Sequence, residues 1–214
     1  MQGLRGPAAL APDIRLTEGG PDTTHFSVID GDGLAVANTY TLERSYGSRI
    51  VVRGAGFLLN NEMIDFNPRP GVTDSGGRIG TAANQIAPGK RMLSSQTPTV
   101  VAKDGKPVLI TGSPGSRTII NTVLQVVVNV VDFGMDVRAA VDAPRIHHAW
   151  MPDELRLEGV RQADRAGLAE SLRAMGHRVV GTRQGDAHSI YIDPRTGKYV
   201  GAADRRIIGK AAGY

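Results

Sequence analysis

Turn chemistry limits what this chain can fold into more than any other feature. Gly-Asp-Gly at 31–33, Asp-Gly at 104–105 and the Pro-to-Gly stretch 194–197 each separate two short runs rich in β-branched and apolar residues. Two such runs joined by a tight glycine-containing turn read as a β-hairpin. The predicted pairs are residues 23–30 with 34–42, 98–102 with 108–111, and 188–193 with 198–202. Residues 50–52 through 58–59 suggest more strand, interrupted by Gly54 and Gly56. The run 117–133 is too long for one strand. Its apolar positions 119, 120, 123, 124, 127, 128 and 131 follow helical spacing, and Gly134 suits the residue just past a last turn, so a buried helix is expected. A short helix at 137–142 stops before Pro144, and an amphipathic one spans 163–175 ahead of Gly176. Hairpins alternating with two substantial helices predict a layered α+β domain, helices covering antiparallel sheet.

Two stretches stand apart. Residues 1–22 read as loop, and 67–91 are rich in Gly and Pro, a length of loop that is usually functional or mobile. With 214 residues and 41% hydrophobic content, the chain has enough apolar material for one domain's core. It contains no cysteine, which excludes thiol catalysis, disulfides and cysteine metal sites. The formal charge of +4 is spread over scattered Lys and Arg without interleaved aromatics, so nucleic-acid binding is not expected. Residues 1–22 lack the apolar core of a signal peptide, and 119–133 is too polar and too short to span a bilayer. Nothing in this chain is therefore expected to export or anchor it.

Three segments could carry chemistry. Thr111-Gly-Ser-Pro-Gly-Ser116 precedes the long helix, and its small residues leave backbone N–H groups exposed where the helix dipole favours an anion. The same string is also an ordinary glycine-rich turn. Asn60 to Asp65 is dense in polar groups. Carboxylates at Glu62 and Asp65 could bind an amino group, or the segment could be a capped turn. Thr23-Thr24-His25 opens a strand, where threonine is usually structural; it becomes chemistry only if the 22–23 bond is cut. His25, His147, His148, His177 and His188 form no metal-ligand spacing with carboxylates, so no metal is expected and these histidines read as structural or surface groups.

Taken together, TTHFSVID at 23–30, TYTL at 39–42, LLNNEMIDF at 58–66, PGKRMLSS at 88–95, TGSPG at 111–115 and DAPRIHH at 142–148 resemble the γ-glutamyltranspeptidase family of N-terminal-nucleophile hydrolases, in order and in register. The resemblance implies a four-layer αββα sandwich of which this chain supplies roughly the C-terminal half. Residues 1–22 would be the tail of a large-subunit region and 23–214 the small-subunit catalytic domain, with a lid-like loop at 67–84. It implies autocleavage between Asp22 and Thr23, which frees an amine beside the Thr23 hydroxyl. That amine, with a pKa of about 8, is a base poised near neutrality. By position, Thr41 would tune Thr23, and Glu43, Glu62 and Asp65 would face a substrate α-amino group. Ser94 and Ser95 would hold its α-carboxylate, and the N–H groups of Gly115 and Ser116 would form the oxyanion hole.

The implied substrates are glutathione and γ-glutamyl amides, with water, amino acids or dipeptides as acceptors and no cofactor. The implied location is periplasmic or extracellular. The chain departs from the family's usual pattern at several points. Glu43 and Glu62 stand where many members have Asn and Gln, Gly76 replaces a tyrosine, and Ser116 replaces a second glycine. The large subunit, with an arginine that grips the α-carboxylate, is missing, so exposed sheet edges and an apolar face are expected. Two alternatives remain: a related acylase acting on a glutaryl-β-lactam or poly-γ-glutamate, and an inactive orphan fragment.

Overall fold

A computed structural model describes residues 23–67, 69–75 and 79–214. The expected loop at 1–22, with Asp22, and Gly76 lie outside the described residues. The elements run β1 (Thr23–Ile29), β2 (Ala35–Thr41), β3 (Thr99–Lys103), β4 (Lys106–Thr111), α1 (Ile119–Val131), α2 (Val137–Asp142), β5 (Ile146–His147), β6 (Leu155–Leu157), α3 (Ala163–Ala174), β7 (Val179–Gly181), β8 (His188–Ile192) and β9 (Tyr199–Ala203).

All three predicted hairpins form. β1 and β2 pair antiparallel with Thr23 opposite Thr41 and His25 opposite Thr39. Their turn is held by the Asp30 carboxylate, whose Oδ1 accepts from the N–H groups of Asp32 and Leu34 at 3.0 and 2.9 Å. The other two hairpins join edge to edge in a four-stranded antiparallel sheet of order β3-β4-β8-β9. Helices α1 and α2 cover one face of it, burying Leu109, Val126, Val137, Val141, Ala187 and Ala202 together. The β1–β2 hairpin packs on the opposite face, against β4 and β8. The result is three layers of an α+β sandwich.

The expected helix over 117–133 is an α-helix from 119 to 131 entered through a 3-10 turn at Ser116–Thr118. Gly134 adopts φ +63°, which lets the Met135 N–H reach the Asn129 carbonyl at 2.9 Å. The strand expected over 50–59 is a correction: the only ladder contact there is an isolated bridge between Val51 and Leu58. Arg49, Gly54 and Gly56 all take positive φ, turning the chain before a ladder can extend. A small sheet of order β5-β6-β7 was not anticipated. Its β6 and β7 are parallel, joined through α3, and close over Leu155, Leu157 and Ala169.

In β1 and β2 buried or half-buried residues alternate with more exposed ones, so one hairpin face points inward and the other outward. Phe26, Val28, Val36 and Tyr40 on the outer face are all more than 40% exposed. An apolar, half-exposed strand face of this kind matches the expectation for a sandwich lacking a layer. Among the described residues, no helix is long and apolar enough to cross a membrane.

Candidate active site

The first residue of β1 sits at the mouth of a cleft of about 290 Å³. Thr23 and Thr41, register partners on the inward hairpin face, supply one wall. The Thr23 hydroxyl donates to Thr41 Oγ1 at 3.1 Å, and the same Thr41 oxygen accepts the Glu43 N–H at 2.8 Å. The donated bond fixes the Thr23 rotor, and β-branching restricts the side chain further. Glu43 itself takes φ +73°, an unfavourable backbone state for a non-glycine residue that often marks a functional position.

The second wall is acidic. Glu62 and Asp65 flank a single 3-10 turn whose start is fixed by the Asn60 side chain accepting the Glu62 N–H at 3.1 Å. The segment is thus a turn held by a side chain and also part of the cleft lining. Carboxylate oxygens of Glu43, Glu62 and Asp65 all lie within 4.8 Å of one another. Burial, then the neighbouring Asp65 and Glu43, push the Glu62 carboxyl above its ordinary value, and burial raises Asp65. Glu62 Oε1 is buried with no hydrogen-bond donor among the described residues. A proton shared with Asp65, or an ammonium group in the cleft, relieves both conditions.

Ser94 and Ser95 line the cleft beside Gln96. They are tied to the acidic wall by one side chain that the sequence reading passed over. Buried Asn84 donates from Nδ2 to the Asp65 carbonyl at 2.6 Å and accepts the Leu93 N–H on Oδ1 at 2.9 Å. Its own carbonyl accepts the Asn67 N–H at 3.0 Å, closing the base of loop 67–84.

The far end of the cleft is formed by Ser116 and Arg117. Gly115 takes φ +137° and Ser116 φ +53°, a kink that no two ordinary residues adopt without strain. Their N–H groups precede the first helical turn and have no intrahelical acceptor. Gly115 itself is set just behind Ser116 and is not part of the cleft lining. Ser116 in place of glycine therefore keeps its backbone N–H at the cleft while carrying the strain of the left-handed conformation.

Thr23, Thr41, Glu43, Glu62, Asp65, Ser94, Ser95 and Ser116 thus share one cleft, although they come from five separated segments. Asp22 lies outside the described residues. Arg117 is an additional lining residue, anchored by a bond from Nη2 to the Ala149 carbonyl at 3.2 Å. Chemically, the cleft sets a threonine hydroxyl, three carboxylates, two serines and the turn before α1 around one space.

Residues 8–214 match the Gamma-glutamyltranspeptidase family profile, and the chain belongs to that family. It is 49% identical over 194 residues to the glutathione hydrolase proenzyme of Escherichia coli (strain K12), covering 90% of this chain and 33% of that protein. It is 35% identical over 190 residues to the acylase ACY 1 proenzyme of Pseudomonas sp. (strain SE83), covering 88% and 31%. Among solved structures, γ-glutamyltranspeptidase from Pseudomonas nitroreducens complexed with L-DON superposes with a TM-score of 0.78 at 42% identity, covering 89% of this chain and 99% of that chain. The chain spans about a third of the length of the curated relatives it matches.

Proposed function

We propose that this chain is the nucleophile-bearing half of a γ-glutamyl hydrolase and transferase acting on glutathione and γ-glutamyl amides. In this reading residues 1–22 are the tail of a large-subunit region and 23–214 the catalytic domain. The precursor cuts itself between Asp22 and Thr23. The Thr23 hydroxyl then attacks the γ-carbonyl carbon while its own α-amine takes the hydroxyl proton. The negative charge that develops on the carbonyl oxygen falls to the N–H groups of Gly115 and Ser116. Collapse breaks the C–N bond, the amine leaves with the proton from the Thr23 ammonium, and a γ-glutamyl ester remains on Thr23. Water, an amino acid or a dipeptide then attacks that ester with the α-amine again as base.

Substrate orientation comes from charge. Glu43, Glu62 and Asp65 take the α-ammonium, and Ser94 and Ser95 donate to the α-carboxylate. A large subunit completes the fourth layer over Phe26, Val28, Val36 and Tyr40, and the assembled protein works in the periplasm or outside the cell. The observation that carries this reading is the convergence of Thr23, the three carboxylates, the serine pair and Ser116 on one cleft. Its test is expression together with the large-subunit region, followed by intact-mass measurement and release of p-nitroaniline from a γ-glutamyl anilide. A Thr23→Ala variant should remain uncut and inactive; processing at the same bond in that variant overturns the assignment.

The acylase relative motivates a second reading, hydrolysis of a glutaryl amide. A glutaryl group has no ammonium to set against three converging carboxylates. Release from γ-glutamyl and glutaryl anilides compared side by side separates the two, and faster glutaryl hydrolysis favours the acylase.

A further inference from the structure

His25 is a buried titratable group that the proposed chemistry does not use. It is 3% exposed, and burial followed by the nearby His188 holds its pKa down to about 4. Its imidazole is therefore neutral at any pH well above that value, with one N–H to give and one lone pair to offer. The partners decide which nitrogen carries the proton. The Ser27 hydroxyl donates its single hydrogen to the His188 carbonyl at 2.9 Å. Its contact with His25 Nε2 at 3.1 Å must then be accepted from an Nε2–H. Nδ1 is left as acceptor, and the Thr39 hydroxyl donates to it at 2.8 Å.

The ring also lies flat against the turn that precedes α1. A Cβ added at Gly112 would overlap the imidazole carbon between the two nitrogens and both nitrogens themselves. The Gly112 carbonyl in turn accepts the His188 N–H at 3.1 Å. A closed circuit results: His25 to Ser27, Ser27 to His188, His188 to Gly112, and Gly112 back against the His25 ring. The turn is further pinned from behind, since buried Ser113 Oγ accepts the Asp186 N–H at 2.8 Å. His25 and Thr39 are the inward-facing cross-strand pair next to Thr23 and Thr41. Two residues along a strand span about 6–7 Å, so the ring is too far away to take the Thr23 proton.

We propose that His25 is a positioning residue whose imidazole braces β1 against the 111–116 turn and so sets the separation between the Thr23 hydroxyl and the N–H groups of Gly115 and Ser116. This rests on Thr23 being the nucleophile. A shift of about 1 Å between reacting groups lowers a rate by about a hundredfold. Loosening the brace should therefore act on turnover, while the ammonium and carboxylate contacts, which lie on other segments, keep substrate affinity.

The test uses the complete protein, this chain with its large-subunit region, on a γ-glutamyl anilide. His25→Phe keeps an aromatic ring but removes both hydrogen bonds, and it should lower kcat by about tenfold to a hundredfold. KM should move less than about threefold, and the pH profile should keep its shape. Thr39→Val, less disruptive, should lower kcat in the same direction by less. His25→Gln, which retains a donor and an acceptor, should recover part of the loss. Combining His25→Phe with Thr39→Val should add nothing beyond His25→Phe alone.

An undiminished kcat in both His25→Phe and Thr39→Val overturns the proposal. So does loss of the acidic limb of the pH profile, which marks a proton-transfer role, or full additivity in the double variant. Should His25→Phe fail to mature, Thr39→Val and His25→Gln decide the question. Failure of the underlying enzymatic reading is recognised separately, by an inactive wild type or an active Thr23→Ala.

Discussion

At the cleft, Glu43, Glu62 and Asp65 bring three carboxylates within 4.8 Å of each other. Beside α2, where β9 ends, two carboxylates meet two guanidinium groups instead. Arg145 donates to Asp204 at 2.6 Å with both side chains almost fully buried. Arg206 reaches Asp204 at 3.0 Å and Glu158 at 2.5 Å. Spare acceptor capacity there is taken by backbone: Asp204 accepts the Ala187 N–H and Glu158 accepts those of Arg145 and Gln184. Burial alone would raise the Asp204 carboxyl, but Arg145 and the N–H groups of Arg206 and Ala187 hold it below its ordinary value. Both regions bury charge, yet one sets carboxylates against guanidinium groups and the other sets carboxylate beside carboxylate. The first is a clamp at the end of β9; the second is, under the proposed function, where a substrate ammonium would sit.

The clamp is where the comparison can be broken most severely. Asp204→Ala leaves Arg145 buried without its counter-ion, and removal of one member of such a pair lowers stability by about 3–5 kcal/mol. Denaturant unfolding of the assembled protein measures this. A loss below about 1 kcal/mol, the size of an exposed pair, would mean that the network is not buried in solution.

Strain gives a smaller and opposite effect at the cleft. Ser116 sits at φ +53°, which disfavours a side-chain-bearing residue by about 1–2 kcal/mol. Ser116→Gly relieves that, offset by about 0.5–1 kcal/mol for the greater freedom of glycine in the unfolded chain. The net gain should lie between about 0 and about 1.5 kcal/mol. Turnover should persist, since the proposed donor is a backbone N–H. A stabilised variant with abolished turnover would mean that the serine side chain matters, against the backbone assignment.

What could be read from sequence follows the range of the interactions. The three hairpins and α1 to α3 are local: a turn residue or a helical period within twenty positions specifies each one. The β5-β6-β7 sheet escaped because its strands are only two or three residues long. Its parallel pair depends on α3 folding between them. At the cleft, each segment alone was ambiguous, and only the resemblance grouped them. The contacts of His25 and Asn84 escaped for another reason: apart from Ser27, two residues from His25, their partners are distant in the chain or are backbone groups, which leave no pattern around the residue itself. The inward position of His25 was nevertheless implicit in the alternation of β1, and Gly112 marks where its ring needs room.

The finest test of the comparison is Glu62→Gln, which removes one of the three charges without changing the side chain's shape. The sign follows from proton binding. The Glu62 carboxyl is raised above its ordinary value of 4.5, so the folded chain holds that proton more tightly than the unfolded chain. Stability from this group is complete below 4.5 and is lost as pH rises through the raised value. At neutral pH the cluster is therefore mutually repulsive, and the amide should make the protein slightly more stable there while flattening the slope on the acid side. The effect should be smaller than that of Ser116→Gly, because much of Glu62 is open to solvent. Affinity should respond in the other direction: KM for a γ-glutamyl anilide rises, whereas a glutaryl anilide, lacking the ammonium, is bound no worse. Equal weakening of both anilides would show that the trio is structural, and would remove the contrast with the Arg145–Asp204 clamp.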